Sequence, residues 1–195
     1  ISLIGDHTLN AWTGLPADTI NDNDTTYSTL ANIPVITTYP YYENWELGDE
    51  DGWMAYGASS TWELGYPDGP VINEPPTATP GSQYSWLTSI TGNYNDNENS
   101  YLEGPCFDLS SLVIPYVEVD LWWETKDTWD GMQLEYSTNG GVTWSVLGDI
   151  GTGDNWYTNT AFALDYETGW VGSGGGWVTS HHDISFLAGE TDVKF

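Results

Sequence analysis

The sequence predicts an all-β chain, and three features lead to that reading. Short runs of alternating apolar and polar residues are separated by Gly, Asn, Asp and Pro. Twelve Trp, thirteen Tyr and 22 Gly accompany only two Lys, no Arg and two Met, a balance that suits aromatics packed between turn-rich strands. No convincing amphipathic helix longer than about two or three turns occurs. At 195 residues the chain suits one substantial β-domain, or one domain with part of another.

Taken in order, HTLNAWTGLPADTINDNDTTYSTL gives a strand, a polar turn and a second strand. This is how the last hairpin of an immunoglobulin-like sandwich looks, and it assigns residues 1–33 to such a domain. Residues 34–40, with proline at both ends, read as an extended linker. A new module begins at Tyr41 and extends to residue 195. Its clearest strand is VIPYVEVDLWWET, 113–125, in which Val117, Val119 and Leu121 alternate with Glu118, Asp120 and Trp122. MQLEYS continues the alternation from Met132. Asn139-Gly140-Gly141 then supplies residues tolerant of positive φ, and VTWSVL returns as the partner strand.

A formal charge of −27, with Lys126 and Lys194 as the chain's two lysines, argues against nucleic acid and anionic lipid as partners. Cations are the natural counterpart, so the expected setting is extracellular and saline or calcium-containing. The lone Cys106 leaves no disulfide framework within the chain. No apolar run reaches membrane-spanning length, so direct membrane insertion is not expected. The opening ISLIGDHTL falls inside a plausible strand, and the chain reads as a segment of a longer secreted polypeptide.

The stretch YSTNGGVTW, with Ser137, Asn139, Gly141, Thr143 and Trp144 at fixed spacing, resembles the Asp-box of sialidases and of many non-enzymatic extracellular β-proteins. Asn stands where Asp is usual. Every residue of the box is accounted for by structure alone, since Ser and Asn bond turn backbone, Gly permits the reversal, and Trp144 packs over the hairpin. One box and no repeat of propeller length, in a chain without arginine to hold an acidic sugar, point away from catalysis.

Several phrases occur together after Tyr41: PYYENWELGDEDGW, STWELGYPDGP, NSYLEGPCFDLSSL, the box hairpin, and GWVGSGGGWVTSHHDISFLAGETDVKF. Their order resembles the jelly-roll modules related to MAM and reelin-repeat domains of large secreted and surface-anchored bacterial proteins. The resemblance implies an antiparallel two-sheet jelly-roll sandwich without catalytic machinery, used for adhesion, for glycan or protein contact, or as a spacer. Such modules usually close with a further strand after the one resembling DVKF, so an unpaired sheet edge is expected there. The resemblance also implies a structural calcium ion near the first strand and the loop before YLEGP. Its candidate ligands are Glu43, Glu46, Asp49, Asp51, Asn97, Asn99 and Asp108. GDEDG, residues 48–52, has acidic spacing that lets carboxylates converge from a turn, although a solvated acidic loop looks the same. NDNDTT, residues 21–26, is assigned to turning the first hairpin.

Adjacent His181 and His182 point to opposite faces of a strand and cannot share one ion, and His7 has no companions. With 29 acids, some pair will match a glycosidase spacing by chance, and no nucleophile elbow appears. Exposed aromatics remain as the functional lead. Trp122, Trp129, Trp156 and Tyr157 can stack on a sugar face while neighbouring Asp and Asn bond its hydroxyls. At least one of Trp122 and Trp123 belongs to the core, and repeated Gly-Trp neighbours suggest rings lying over glycine backbone. The chain is therefore expected to be a non-catalytic, calcium-stabilised module of a long secreted or cell-surface repeat protein, an adhesin or a stalk or filament element. Its partners would be neighbouring domains of the same polypeptide, surface glycans or other copies. The alternative is a carbohydrate-binding accessory module of a secreted hydrolase or protease.

Overall fold

A computed structural model of the chain describes residues 5–12, 25–48, 50–77 and 81–195. Among them there is no α-helix, only strands and the 3-10 turns Phe162–Leu164 and Ser185–Leu187, so the all-β expectation holds. The chain divides into two units, Ile1–Pro34 and Val35–Phe195.

In the first unit Gly5–Trp12 and Thr25–Asn32 pair antiparallel along their whole length. Most of the expected Asp/Asn turn between them lies outside the described residues. Trp12 and Tyr27 are exposed on this ribbon. A two-stranded ribbon on its own is only marginally stable in water.

The second unit is built from short pieces joined by single bridges, in small open sheets of two or three strands. Residues 34–40 do not behave as the expected linker beyond Pro34. Val35–Ile36 pairs in parallel with Cys106–Phe107, and the Tyr39 hydroxyl donates to the carbonyls of Ile36 and Asp108 at 3.1 and 3.0 Å. The apolar Ile36, Tyr39 and Tyr41 pack against the core, and burying them outweighs the freedom of a free linker. Phe107 pairs on its other side with Val193, and Lys194 pairs with Ser137. The DVKF segment is therefore flanked on both sides, and the expected unpaired edge does not lie there.

Tyr116–Leu121 pairs antiparallel with Val178–Asp183. The strand is shorter than the sequence suggested because Pro115 carries no N–H for a ladder, and Val113 and Ile114 stand exposed before it. MQLEYS also splits in two. Gly131–Met132 pairs with Trp170–Val171, whereas Glu135–Tyr136 pairs with Ser145–Val146. The chain changes partners at Leu134, whose N–H donates to the Tyr157 hydroxyl at 3.1 Å while its carbonyl accepts from the same hydroxyl at 3.0 Å. A phenol thus fills the gap between two ladders.

The centre of the core is a ring cluster of Trp156, Tyr157 and Trp170. Centroids lie 5.0 Å apart for Trp156–Trp170, 4.8 Å for Tyr157–Trp170 and 5.5 Å for Trp156–Tyr157, in tilted or edge-on contacts that ring quadrupoles favour. Leu147, Leu187, Val193, Phe107 and Trp123 pack around it. The two central indoles end on main chain: Trp156 Nε1 donates to Leu147 O at 2.8 Å and Trp170 Nε1 to Asn155 O at 3.0 Å. Burial pushes the Tyr157 phenol up to about 12. Rings lie over glycine as expected: a Cβ on Gly174 would come within 2.9 Å of Trp123, and one on Gly104 within 3.1 Å of Trp53.

Removing the central ring tests this arrangement. Trp156→Ala should lower the unfolding free energy by about 3–5 kcal/mol in a urea titration followed by circular dichroism. A loss below about 1 kcal/mol would show that the ring is not central.

Candidate functional site

The box hairpin is closed by its own side chains. Ser137 Oγ accepts from the N–H groups of Asn139 and Gly141 at 3.2 and 2.9 Å and donates to Asn139 Oδ1 at 2.8 Å. That same Oδ1 accepts from Thr143 N–H at 2.9 Å, and Asn139 Nδ2 donates to Thr143 Oγ1 at 2.9 Å. Gly140 and Gly141 take φ of 68° and 90°, values that L side chains rarely adopt. Trp144 Nε1 reaches back to Gly141 O at 3.0 Å. Asn does at position 139 the backbone-bonding work expected of Asp, and its amide adds the bond to Thr143.

His181 and His182 are equally engaged. His181 faces Tyr116 at a ring separation of 4.9 Å, and His182 lies on the other side of the strand against Trp156 at 4.8 Å. His182 is buried, with Thr152 Oγ1 2.9 Å from Nε2 and the Asp183 carbonyl 2.7 Å from Nδ1. Cys106 donates its thiol proton to Asp192 Oδ1 at 2.9 Å; burial, then that bond, pushes the thiol up to about 11. Lys194 pairs with Glu103 at 2.5 Å, and Glu103 also accepts from the Tyr56 hydroxyl at 2.8 Å.

The described calcium candidates are held by different partners. Glu43 Oε1 accepts from the N–H groups of Asn44 and Trp45. Its charge and that of Asp51 both act on Tyr41, whose phenol is raised first by burial and then by these two carboxylates, so Glu43 and Asp51 share a neighbourhood. Glu46 Oε1 instead receives the N–H groups of Gln83 and Tyr84. Asn97, in a turn, and Asn99, which opens the strand Asn99–Glu103, flank Glu98, and Asp108 holds Ser110 N–H at 2.9 Å. Asp49 lies outside the described residues. Among the described residues, no three His, Cys, Asp or Glu side chains gather into a group able to hold a metal ion.

Glu98 is the acid that the sequence did not single out. One of its oxygens accepts from Thr61 N–H at 2.9 Å and Ser100 Oγ at 2.7 Å, and the other from Thr61 Oγ1 at 2.7 Å and Asn95 N–H at 3.0 Å. Burial acts to raise its pKa, but these bonds prevail and hold the carboxyl below its ordinary value.

The glycan candidates separate sharply. Trp156 and Tyr157, expected to be exposed, are core residues at 2 % and 4 % exposure. The reason lies in the backbone: Asn155 and Tyr157 have φ of 52° and 45°, so strand alternation fails and both rings turn inward. With Gly151, Gly153 and Gly174 they line an open depression of about 430 Å³. Trp122 is half-buried, edge-on to Trp177 at 6.0 Å. Trp123 is the core member of its pair.

Trp129 is exposed, and the structure adds two neighbours that sequence reasoning missed. Phe162 lies 5.5 Å from Trp129, and Tyr166 lies 5.6 Å from Phe162. The loops that carry them are tied together, Phe162 N–H donating to Thr128 O at 3.0 Å and Ala163 N–H to Trp129 O at 2.8 Å. Asp130 is fixed by the Tyr94 hydroxyl at 3.0 Å. Lys126 Nζ stands 5.4 Å from the Trp129 ring centroid. The signal available in the sequence was FALDY, two aromatics four residues apart beside acids, outside any alternating strand.

Compared with family models, curated proteins and solved structures, the chain matches none of them.

The Glu98 geometry predicts an acid-sensitive loop. A carboxyl whose pKa is depressed by folding contributes stability that is present above its unfolded value, near 4.5, and lost as pH falls through the folded value. Glu98→Gln should therefore melt below wild type at neutral pH, and the gap should close on acidification below 4.5. A gap independent of pH would contradict the assignment.

Proposed function

We propose that the chain is a non-catalytic module of a long secreted or cell-surface repeat protein, acting as an adhesin or as an element of a stalk or filament. In this reading Val35–Phe195 is a jelly-roll sandwich of the MAM and reelin-repeat kind, and the first hairpin closes an immunoglobulin-like sandwich. The observation that carries it is the use made of reactive side chains. His182, Cys106, Glu98 and the box residues Ser137 and Asn139 all direct their polar atoms to neighbouring protein groups that fix loops. The acidic charge supports an extracellular location, where salt and divalent ions screen carboxylates.

Calcium belongs to the same proposal. Calcium takes about six to eight hard oxygen ligands. Glu43 and Asp51 near Tyr41 are the pair of carboxylates that would hold it, with main-chain carbonyls completing the set. Glu43, like Glu46 and Asp108, already accepts main-chain N–H groups, and what sets it apart is the nearness of Asp51. A carbohydrate-binding accessory module is the second reading, favoured by the exposed cluster around Trp129.

Calorimetry with millimolar calcium against chelator tests the first reading. Calcium should raise the melting temperature by roughly 5 °C, which corresponds to a calcium concentration well above Kd. Replacing Glu43 with Gln and Asp51 with Asn together should abolish the rise. No calcium-dependent shift in the wild-type chain would refute the calcium part of the proposal.

A further inference from the structure

His182 is 8 % exposed, and both of its ring nitrogens face oxygen atoms of the protein. Nδ1 lies 2.7 Å from the Asp183 carbonyl, which can only accept, so the proton between them belongs to Nδ1. Nε2 lies 2.9 Å from Thr152 Oγ1. That hydroxyl gives its single proton to Asp149 O at 2.8 Å, while its oxygen accepts Asp149 N–H at 2.9 Å. The contacts to Asp183 O, to Asp149 O and between Nε2 and Oγ1 each need a proton, and Thr152 supplies only one of them. A neutral imidazole supplies one more and leaves a contact empty. The imidazolium, with a proton on each nitrogen, fills all of them.

The surroundings suit a cation. On its own strand His182 has Asp183, whose carboxyl is held below its ordinary value first by Ser185 and then in part by the charges of His182 and His181. His181 itself turns to the other face, against Tyr116. The turn beside the ring brings Asp149, and Asp154 follows it, paired through its main chain with His181. Across the strand pair His182 stands opposite Val117, which Tyr116 and Glu118 flank, and the remaining ring contact is the uncharged Trp156. Lys194 and Lys126 stand elsewhere, at Glu103 and over Trp129. Burial works against the cation, whereas bonds from both nitrogens and the field of a chain of net charge −27 work for it.

The turn is shaped around this ring. Gly148 has φ of 76°, and a Cβ there would collide with Nε2 and come within 2.8 Å of Thr152 Oγ1. A Cβ on Gly153 would reach within 3.2 Å of the ring carbon Cδ2. The same turn carries Ile150, Gly151 and Gly153, which line the depression beside Trp156.

We propose that His182 is a proton-operated latch, whose imidazolium ties the 148–153 turn to the core through Thr152 and whose loss of the Nε2 proton to solvent frees that turn and loosens the wall of the depression. Once Nε2 is bare, the Thr152 hydroxyl either turns its proton to Nε2 and abandons Asp149 O, or keeps Asp149 O and faces a lone pair. One contact is lost in both cases.

The test is nitrogen-15 NMR of the histidine rings together with amide exchange, on the full chain from about pH 5 to about pH 8, the range in which histidines titrate. At the acid end both His182 nitrogens should carry protons, and the Thr152 amide, bonded to Asp149 O, should be protected. At the alkaline end Nε2 should be bare, and exchange at Thr152, corrected for intrinsic base catalysis, should quicken about fivefold while Val193 in the core keeps its protection. Thr152→Val and His182→Phe should each exchange fast at residue 152 at both ends. A His182 ring still neutral at the acid end, wild-type protection at Thr152 that does not change with pH, or an undiminished pH dependence in Thr152→Val would overturn the proposal.

Discussion

The polar tips of Trp156, Tyr157 and Trp170 are what the second unit depends on. Many of its strands are two residues long, too short for their ladders to hold them, and they meet through single bridges. Trp156, Trp170 and Tyr157 bury large apolar rings and at the same time place a donor on Leu147, Asn155 or Leu134 main chain. One residue thereby supplies both the apolar burial and the backbone bond that longer strands divide between side chain and ladder. Tyr39 repeats the device at the entry to the unit, tying Ile36 to Asp108.

Around this core the chain is strongly acidic. The carboxylates are not idle, since Glu43, Glu46, Glu98, Asp108 and Asp183 each accept main-chain N–H groups in irregular loops. In a chain with so little regular ladder, this is how many backbone donors find partners. The same charge narrows the field of ligands. Lys194 pairs with Glu103, and Lys126 stands over the face of Trp129.

How much could be read in advance followed from how local the cause was. The box hairpin was legible because Ser137, Asn139 and the glycines act within a few residues of one another. The opposite faces of His181 and His182 followed from strand geometry alone. Trp156 and Tyr157 were misplaced because nothing local announces a tyrosine at φ of 45°; the core holds it there through contacts far along the chain. Residues 34–40 looked like a linker because their prolines are visible in sequence and their pairing with Cys106–Phe107 is not. Phe162 and Tyr166 join Trp129 only because two loops are hydrogen-bonded together in space.

If ring tips rather than ladders hold this fold, protection from hydrogen exchange should not follow strand length. The most direct measurement is residue-level amide exchange under native conditions. The amides of Leu147, Thr158 and Val171, in short elements around the ring cluster, should exchange only through global unfolding, more slowly than those of the eight-residue ribbon Gly5–Trp12 and Thr25–Asn32. The reverse order, with the long ribbon most protected and the ring-tied segments exchanging freely, would contradict the account.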